Sequence, residues 1–439
     1  MKPLAVNITK KHKFKLALIL TLFTVLSSFN VLAFQEQKVD FIEYRGEVLD
    51  ETSKKPLIFA TLAIQESNIT TVTNTEGQFS LKIPKEKKGS NVSISFLGYK
   101  TKLIPLSQFK EKKIKIYLSV SVTELSEINI SAPKSAEALV RETLAKKGEN
   151  YFDTPTLMTA FYRETIKKRR KNISLSEAVV NIYKTPYSSN RKDVIQLYKT
   201  RKSTDYNKID TVALKLQGGP FNALYVDIMK YPEYIFSKES LNDYIFSFDS
   251  STRINNKLIY VINFKQRPNI HRPMYKGKLY IDETNKILTS AIYSLNITNK
   301  EEAARMYVRK KPRNAKVWPS EIAYRVDYRE KNNKWYYGYS NVLLEFKIDW
   351  DKKLFNSVYS MTCEMAVTDW EKSDTNSIPK AKERIKTTLI LSEEAIGFSD
   401  PDFWGEYNII EPEKSIESAI KKIQRQLKRS KNKRDPSKP

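Results

Sequence analysis

A chain of 439 residues is too long for one small domain, and 40% hydrophobic with 11% aromatic residues is enough apolar side chain to build cores, which excludes global disorder. Twenty-five Tyr and 20 Phe against 11 Gly favour long strands over glycine-rich nucleotide-binding folds. A single Cys excludes an intrachain disulfide, and a net charge of +26 points to anionic partners.

Residues 1–33 read as a cleavable export signal. Lys10, Lys11, Lys13 and Lys15 form a positive start, Leu16 to Leu26 is an apolar run, and Val31-Leu32-Ala33 precedes a cut after Ala33. Ser27, Ser28 and Asn30 interrupt the run, which falls short of the ~20 residues a membrane span needs. The only Cys is Cys363, far from any lipid-attachment position. The first 33 residues hold five Lys and no acid, so +21 of the +26 stays with the remainder. In an exported protein, lipid phosphates and acidic polysaccharides are nearer than nucleic acid, and a plain solvated basic surface accounts for the charge equally well.

Residues 41–131 carry short alternating strands between Gly, Pro and Asn punctuation. Gly46-Glu47-Val48-Leu49-Asp50 leads through Lys55-Pro56-Leu57-Ile58-Phe59-Ala60-Thr61. Thr73-Asn74-Thr75-Glu76-Gly77-Gln78-Phe79-Ser80-Leu81 follows, with Gly77 where a positive φ is expected. Val92 to Lys100, Ile114 to Leu118 and an exit strand over Glu124 to Ile130 complete the pattern. It predicts a small antiparallel β-sandwich of prealbumin or immunoglobulin-like type. These residues resemble the carboxypeptidase regulatory-like domain found at the N-terminus of many Bacteroidetes envelope proteins, including TonB-dependent receptors. The resemblance implies a docking module and an envelope location.

A helical connector is predicted over 134–150. Ser135 is placed to cap a helix from about Ala136 to Lys147, Leu139, Val140 and Leu144 make its apolar stripe, and Gly148 is a stop. Met158 to Glu164 follows, and the helix with its "N-Y … F-Y-R-E" run resembles the connector of uncharacterised Bacteroidetes proteins with the same first domain.

Residues 151–411 read as a β-rich domain. Strands are expected at Ile173 to Tyr183, Val194 to Lys199, Tyr244 to Phe248, Leu258 to Phe264, Lys278 to Ile281, Ile287 to Ile297, Ile322 to Arg329, Trp335 to Leu344 and Lys386 to Leu391. Asp282 to Lys286 is a hairpin turn, and Gly218-Gly219-Pro220 is a turn. Such strands suit a large curved antiparallel sheet, with the strand pattern of the half-barrel in bacterial lipoprotein carriers. Charges within Tyr324-Arg325-Val326-Asp327-Tyr328-Arg329 argue against an outer-membrane barrel. The aromatic stretch Phe403 to Pro412 is expected to pack back on the sheet. A C-terminal helix is predicted over 412–428, with Ile416, Ala419, Ile420, Ile423 and Leu427 on one face, and 429–439 as a basic disordered tail. The fold class is thus mainly β.

Catalytic side chains are scarce. With His12 inside the export signal, His271 is the one histidine left, in a Pro-bounded loop, and no serine stands in a G-x-S-x-G elbow. Cys363 lies in a strand-like run and reads as a small buried hydrophobe. No zinc-type cluster and no phosphate loop occur, and Asp249, Asp282, Asp400 and Asp402 lack calcium-loop spacing. Two carboxylates alone serve a glycosidase, but Glu393, Glu394, Asp400 and Asp402 read better as solvated or capping groups. Lys167 to Lys171 is a basic hairpin tip and Arg305 to Arg313 a basic loop. Lys334-Trp335-Tyr336-Tyr337-Gly338-Tyr339 interleaves aromatic and charged groups, more in keeping with cross-strand packing than with stacking on a ligand.

The reading that results is a non-enzymatic, exported envelope protein in the periplasm or at the periplasmic face of the outer membrane. It expects no catalytic, cofactor-binding or metal-binding residue and no cofactor, and it singles out no binding residue. The partner is an envelope protein or an anionic, amphipathic envelope molecule, not nucleic acid, with peripheral outer-membrane association open and the oligomeric state unassigned. The alternatives are a half-barrel lipid or lipoprotein carrier and a carboxylate-dependent glycan hydrolase.

Overall fold

In the computed structural model of the chain, the residues described are 40–109, 113–121, 135–169, 171–204, 217–249, 251–254, 257–308, 311, 313–351, 354–374, 378–394, 396–397 and 403–413. The export signal, the exit strand at Glu124 to Ile130, the C-terminal helix beyond Glu413 and the basic tail lie outside them.

Seven short strands build the first module: β1 (Phe41–Asp50), β2 (Thr61–Ile64), β3 (Thr70–Val72), β4 (Gln78–Pro84), β5 (Asn91–Ser95), β6 (Lys102–Pro105) and β7 (Ile114–Leu118). They form two sheets, β4-β1-β7 and β3-β2-β5-β6. Alternate apolar residues meet between them: Val48, Leu62, Phe79, Leu81, Val92, Ile94 and Ile116 are almost fully buried. The sandwich is not purely antiparallel as expected, because β1 and β7 pair in parallel, Gly46 with Ile114 through Asp50 with Leu118. The first and last strands of the module come side by side in the same direction after the chain has crossed between sheets. Gly77 has φ 72°, and a Cβ there would meet the Val48 carbonyl at 2.8 Å, so the turn before β4 requires glycine.

Twelve strands form the second sheet: β8 (Thr156–Lys168), β9 (Lys171–Lys184), β10 (Val194–Thr204), β11 (Tyr244–Phe248), β12 (Thr252–Ile254), β13 (Lys257–Gln266), β14 (Tyr275–Asp282), β15 (Ile287–Leu295), β16 (Ala315–Lys331), β17 (Lys334–Trp350), β18 (Ser357–Lys372) and β19 (Ile396–Gly397). The order is β11-β13-β14-β15-β16-β17-β18-β8-β9-β10-β19, with β12 beside β13. The sheet is open, antiparallel but for the short β10–β19 pair. The last long strand, β18, returns to pair with β8, so the first strand of the sheet sits in its middle. β8 is therefore buried on both faces: Met158, Ala160, Tyr162 and Ile166 on one, Phe161 and Arg163 on the other.

Each face has its own cover. The inner face, carrying Met158 and Tyr162, packs the helix Ala136–Ala145 and the segment 217–243, whose Phe221, Leu224, Met229, Ile235 and Phe236 join the main core. Ser135 caps the helix as expected, its Oγ accepting from Ala138 N at 3.0 Å. Gly148 is not the stop: the helix breaks at Lys146, and Gly148 lies within the following turn, Lys147–Asn150. Gly218 and Gly219 turn the chain at φ 118° and 51°. The run Lys386 to Leu391 is not a strand; it leads into the short helix Leu391–Glu394, and Leu389 and Leu391 add to the inner core. Part of the expected basic loop is also helical. Lys300–Tyr307 is capped by Asn299 Oδ1, which accepts from Glu301 N and Glu302 N, and Arg305 lies in its last turn.

The outer face carries the sandwich and the segment 403–413. Trp404, Ile409 and Ile410 pack on Phe161, Val179, Tyr339 and Val72, so the aromatic stretch does return to the sheet. Asn68 Nδ2 donates to Trp370 O at 2.6 Å, Thr70 Oγ1 to Val367 O at 2.7 Å and Asn74 Nδ2 to Glu411 O at 3.1 Å. From Ile42 onward sandwich and sheet belong to one compact unit. Among the described residues no helix is long and apolar enough to cross a membrane.

Buried charge is placed in two networks. On the inner side Lys184 Nζ lies 2.7 Å from Asp193 and 2.8 Å from Asp227, and Tyr187, Tyr231 and Tyr328 donate hydroxyls to the same carboxylates. Burial opposes the charge on Lys184, but the two aspartates outweigh it and hold its pKa above the ordinary value. On the outer side Glu177 lies 2.7 Å from both Arg163 and Arg201. Glu164, buried outside both networks, is different. Burial pushes Glu164 up to about 7, against the hydrogen bond it accepts from Tyr162. A carboxyl whose folded pKa is raised stabilises the fold fully below its ordinary value of 4.5, and that contribution is lost as pH rises through about 7. Glu164→Gln is thus expected to melt above the parent at pH 8, by on the order of 3 kcal/mol, and to match it at pH 4. Thermal melts of both proteins across that range check it; parallel curves would refute it.

Candidate functional site

Where the sandwich meets the outer face of the large sheet, the two enclose a cleft of about 400 Å³. The sandwich side offers the hydroxyls of Thr61, Thr70, Ser93 and Ser95 and the Phe59 and Phe96 rings. The sheet side offers alternate residues of β16, Arg325, Asp327 and Arg329, with Lys331 beyond them and Trp335 and Tyr336 of β17. Period-two alternation places these β16 charges on one face.

Most of them are paired. Arg325 Nε donates to Asp327 at 2.8 Å and its guanidinium lies 5.6 Å from the Phe59 ring and 5.7 Å from Phe96. Ser290 Oγ donates to the other Asp327 oxygen at 2.6 Å. Lys331 Nζ donates to Ser67 O at 2.9 Å.

Arg329 is the exception. It is 8% exposed, and its Nη1 donates to Thr70 Oγ1 and to Val367 O, the latter at 2.7 Å. Nε and Nη2 are buried without a hydrogen bond of good geometry, the Tyr336 hydroxyl lies close enough to favour the charge, and among the described residues no carboxylate forms an ion pair with the guanidinium. Burial draws its pKa below the ordinary value, more strongly than Tyr336 and Asp327 can hold it up. The room for it comes from Gly338 on β17, where a Cβ would fall 2.7 Å from Arg329 Cγ and 2.8 Å from Nε. A buried guanidinium behind the wall of a cleft, with Nε and Nη2 short of acceptors, favours an anionic group that could reach it, although both atoms are closed off from the cleft as it stands.

The residues weighed on sequence fall elsewhere. His271 is exposed in the loop between β13 and β14. Cys363 is buried in β18, and burial raises its thiol pKa. Glu393 and Glu394 are exposed on the helix Leu391–Glu394, while Asp400 and Asp402 lie outside the described residues. Asp249 pairs with Lys278, and Asp282 accepts from Asn285 N in the β14–β15 turn. Among the described residues no group of three His, Cys, Asp or Glu is placed to hold a metal. In the aromatic run Tyr336, Tyr337 and Tyr339 are buried, and Tyr336 stacks on Phe152 at 4.9 Å, which is cross-strand and core packing. Arg329 was legible only as one of the charges that speak against a barrel. Its alternation with Arg325 and Asp327, beside the one glycine of the next strand, Gly338, was the available signal.

Residues 44–130 match the family model described as the CarboxypepD_reg-like domain, which covers the sandwich. No curated protein matches the chain. Among solved structures, an outer membrane lipoprotein-sorting protein domain from Vibrio parahaemolyticus is 11% identical, with 56% of this chain and 94% of that one covered at a TM-score of 0.25. A LolA superfamily protein from Nitrosomonas europaea is 10% identical, with coverage of 58% and 100% and a TM-score of 0.25. MucB is 9% identical, with coverage of 54% and 94% and a TM-score of 0.18. Scores this low carry no inference about a ligand.

Proposed function

We propose that this is a non-enzymatic, exported binding protein of the cell envelope, whose sandwich and large sheet together hold a polar ligand bearing one anionic group. The observation that carries the reading is Arg329: a buried cation without a carboxylate partner, beside the cleft between the modules, two of whose donors lack a well-formed hydrogen bond. The hydroxyls and rings opposite suit a sugar or peptide-like body, with the acid directed at the guanidinium. Export rests on the N-terminal sequence and on the envelope setting of the regulatory-like module. The periplasm, or the periplasmic face of the outer membrane, is the location that fits both.

The packing weighs against the carrier alternative. That reading needs an open apolar face for acyl chains, whereas here the inner face is filled by the segment 217–243 and the helix Ala136–Ala145. The hydrolase alternative has no support from Glu393 and Glu394, which share one exposed helical turn. The sandwich serves as a docking module first for the chain's own sheet.

The test is native mass spectrometry of the full chain purified from the envelope of its own host, as the parent protein and as Arg329→Met. The parent is expected to carry a small acidic adduct that Arg329→Met lacks. Thr70 Oγ1 and Val367 O remain bonded to each other without Arg329, so the variant should fold and gain about 1–3 kcal/mol. An adduct retained by Arg329→Met, or an adduct-free parent, would sink the reading.

A further inference from the structure

The turn between β17 and β18 leaves Leu354 96% exposed and Phe355 78% exposed, whereas every other large apolar side chain among the described residues is at least half-buried. Both lie beyond the last pair of that hairpin, Ile348 with Ser357. The antiparallel register brings other strand ends to the same end of the sheet. The start of β16 is there, since Ala315 pairs with Trp350. So is the β8–β9 hairpin, where Lys168 pairs with Tyr359 and Arg169 N donates to Val358 O at 2.9 Å. Phe355 lies in the turn, three residues before Val358, where the β8–β9 hairpin makes its last bond to β18.

The ground around this apolar tip is basic. Arg169, Lys171, Lys311, Arg313, Lys316 and Lys347 are all exposed there, against Asp351 and the half-buried Asp349. Lys311, Lys316 and Arg305 also wall a pocket of about 550 Å³ with Trp318 beside it. Two exposed apolar side chains ringed by cations match an anionic bilayer: the rings and methyls enter the acyl boundary while Lys and Arg meet phosphates.

We propose that this end of the sheet docks on an anionic lipid surface, with Leu354 and Phe355 inserted and the surrounding Lys and Arg on the headgroups. The site is separate from the Arg329 cleft and does not depend on its ligand.

The test uses the full chain with vesicles of phosphatidylglycerol mixed with phosphatidylcholine, and with phosphatidylcholine alone. Cys363 is buried, so a thiol-reactive polarity-sensitive fluorophore will report selectively on Phe355→Cys. Lys382→Cys, exposed near the opposite end of the sheet where Ile385 N donates to Ile195 O, is the control. A blue shift at position 355 with the anionic vesicles only, and none at 382, is expected. In co-sedimentation, Leu354→Ser with Phe355→Ser should weaken binding about tenfold at an unchanged melting temperature, and added salt should weaken the parent. Binding without a shift at 355 would place the contact elsewhere on the chain and overturn the proposal. So would equal binding to both vesicle types, or none to either.

Discussion

Lys184→Met is expected to destabilise the protein by about 3–5 kcal/mol, far more than a surface change. Lys184 is 2% exposed and is the cation between Asp193 and Asp227, both of them buried. Methionine fills a similar volume but leaves two carboxylates facing each other in the core. The network ties three parts of the fold together: Lys184 at the end of β9, Asp193 just before β10, and Asp227 in the segment that covers the inner face. Tyr328 on β16 reaches the same carboxylate, and its hydroxyl accepts from Met229 N at 3.1 Å. Urea midpoints for parent and variant measure the loss. Adding Asp193→Asn and Asp227→Asn removes the negative charge and keeps acceptors for the tyrosines, so the triple variant should recover much of it. A single variant within about 1 kcal/mol of the parent would mean that water reaches these carboxylates.

The strands were legible because their side chains obey a period that solvent and core enforce. β11, β13, β15 and the hairpin over Asp282 to Lys286 lie within a few residues of where alternation and turn residues put them. β8 was harder. Thr156 to Lys168 is buried on both faces, so nothing alternates between apolar and polar along it. Lys386 to Leu391 failed in the other direction: a β-branched, aliphatic run looks like a strand, but here it inserts Leu389 and Leu391 into the core without a strand partner. The helix Lys300–Tyr307 has one buried residue, Ala303, and too weak an apolar stripe to stand out among its charges.

The candidate site was less legible than the fold because it is a product of tertiary placement. Arg329 is one of 76 Lys and Arg residues, and nothing local marks it as a buried cation with no carboxylate partner and poorly satisfied donors. What singles it out is the docking of the sandwich, which brings Thr70 against it and closes the cleft. The two networks were hidden in the same way. Arg163 and Glu177 are adjacent only because β8 and β9 pair in that register, and Arg201 joins them because β10 does.

That outer network leads to the second large effect. Glu177→Gln is expected to cost about 3–5 kcal/mol, since it leaves Arg163 and Arg201 buried with their shared carboxylate gone. Burial works against the Glu177 charge, but the two arginines outweigh it and hold its pKa below the ordinary 4.5. A depressed carboxyl stabilises fully above that ordinary value and loses its contribution as pH falls through the lowered one. The gap between parent and Glu177→Gln should therefore be full at neutral pH and narrow in acid. The loss should also travel. Arg163 Nη2 donates to Ile410 O at 2.7 Å, and Arg201 lies 4.7 Å from the Trp404 ring, so both arginines hold the segment 403–413. That segment is bonded in turn to the sandwich, through Asn408 to the Lys82 backbone and through Ile409 O to Thr71. Loosening it should free the wall of the cleft. Glu177→Gln is then expected to expose 403–413 to limited proteolysis and to lower occupancy of the Arg329 site, although Glu177 does not line that cleft. If the variant melts lower while 403–413 keeps its protection, the network stabilises the sheet alone and the sandwich is held by its direct contacts.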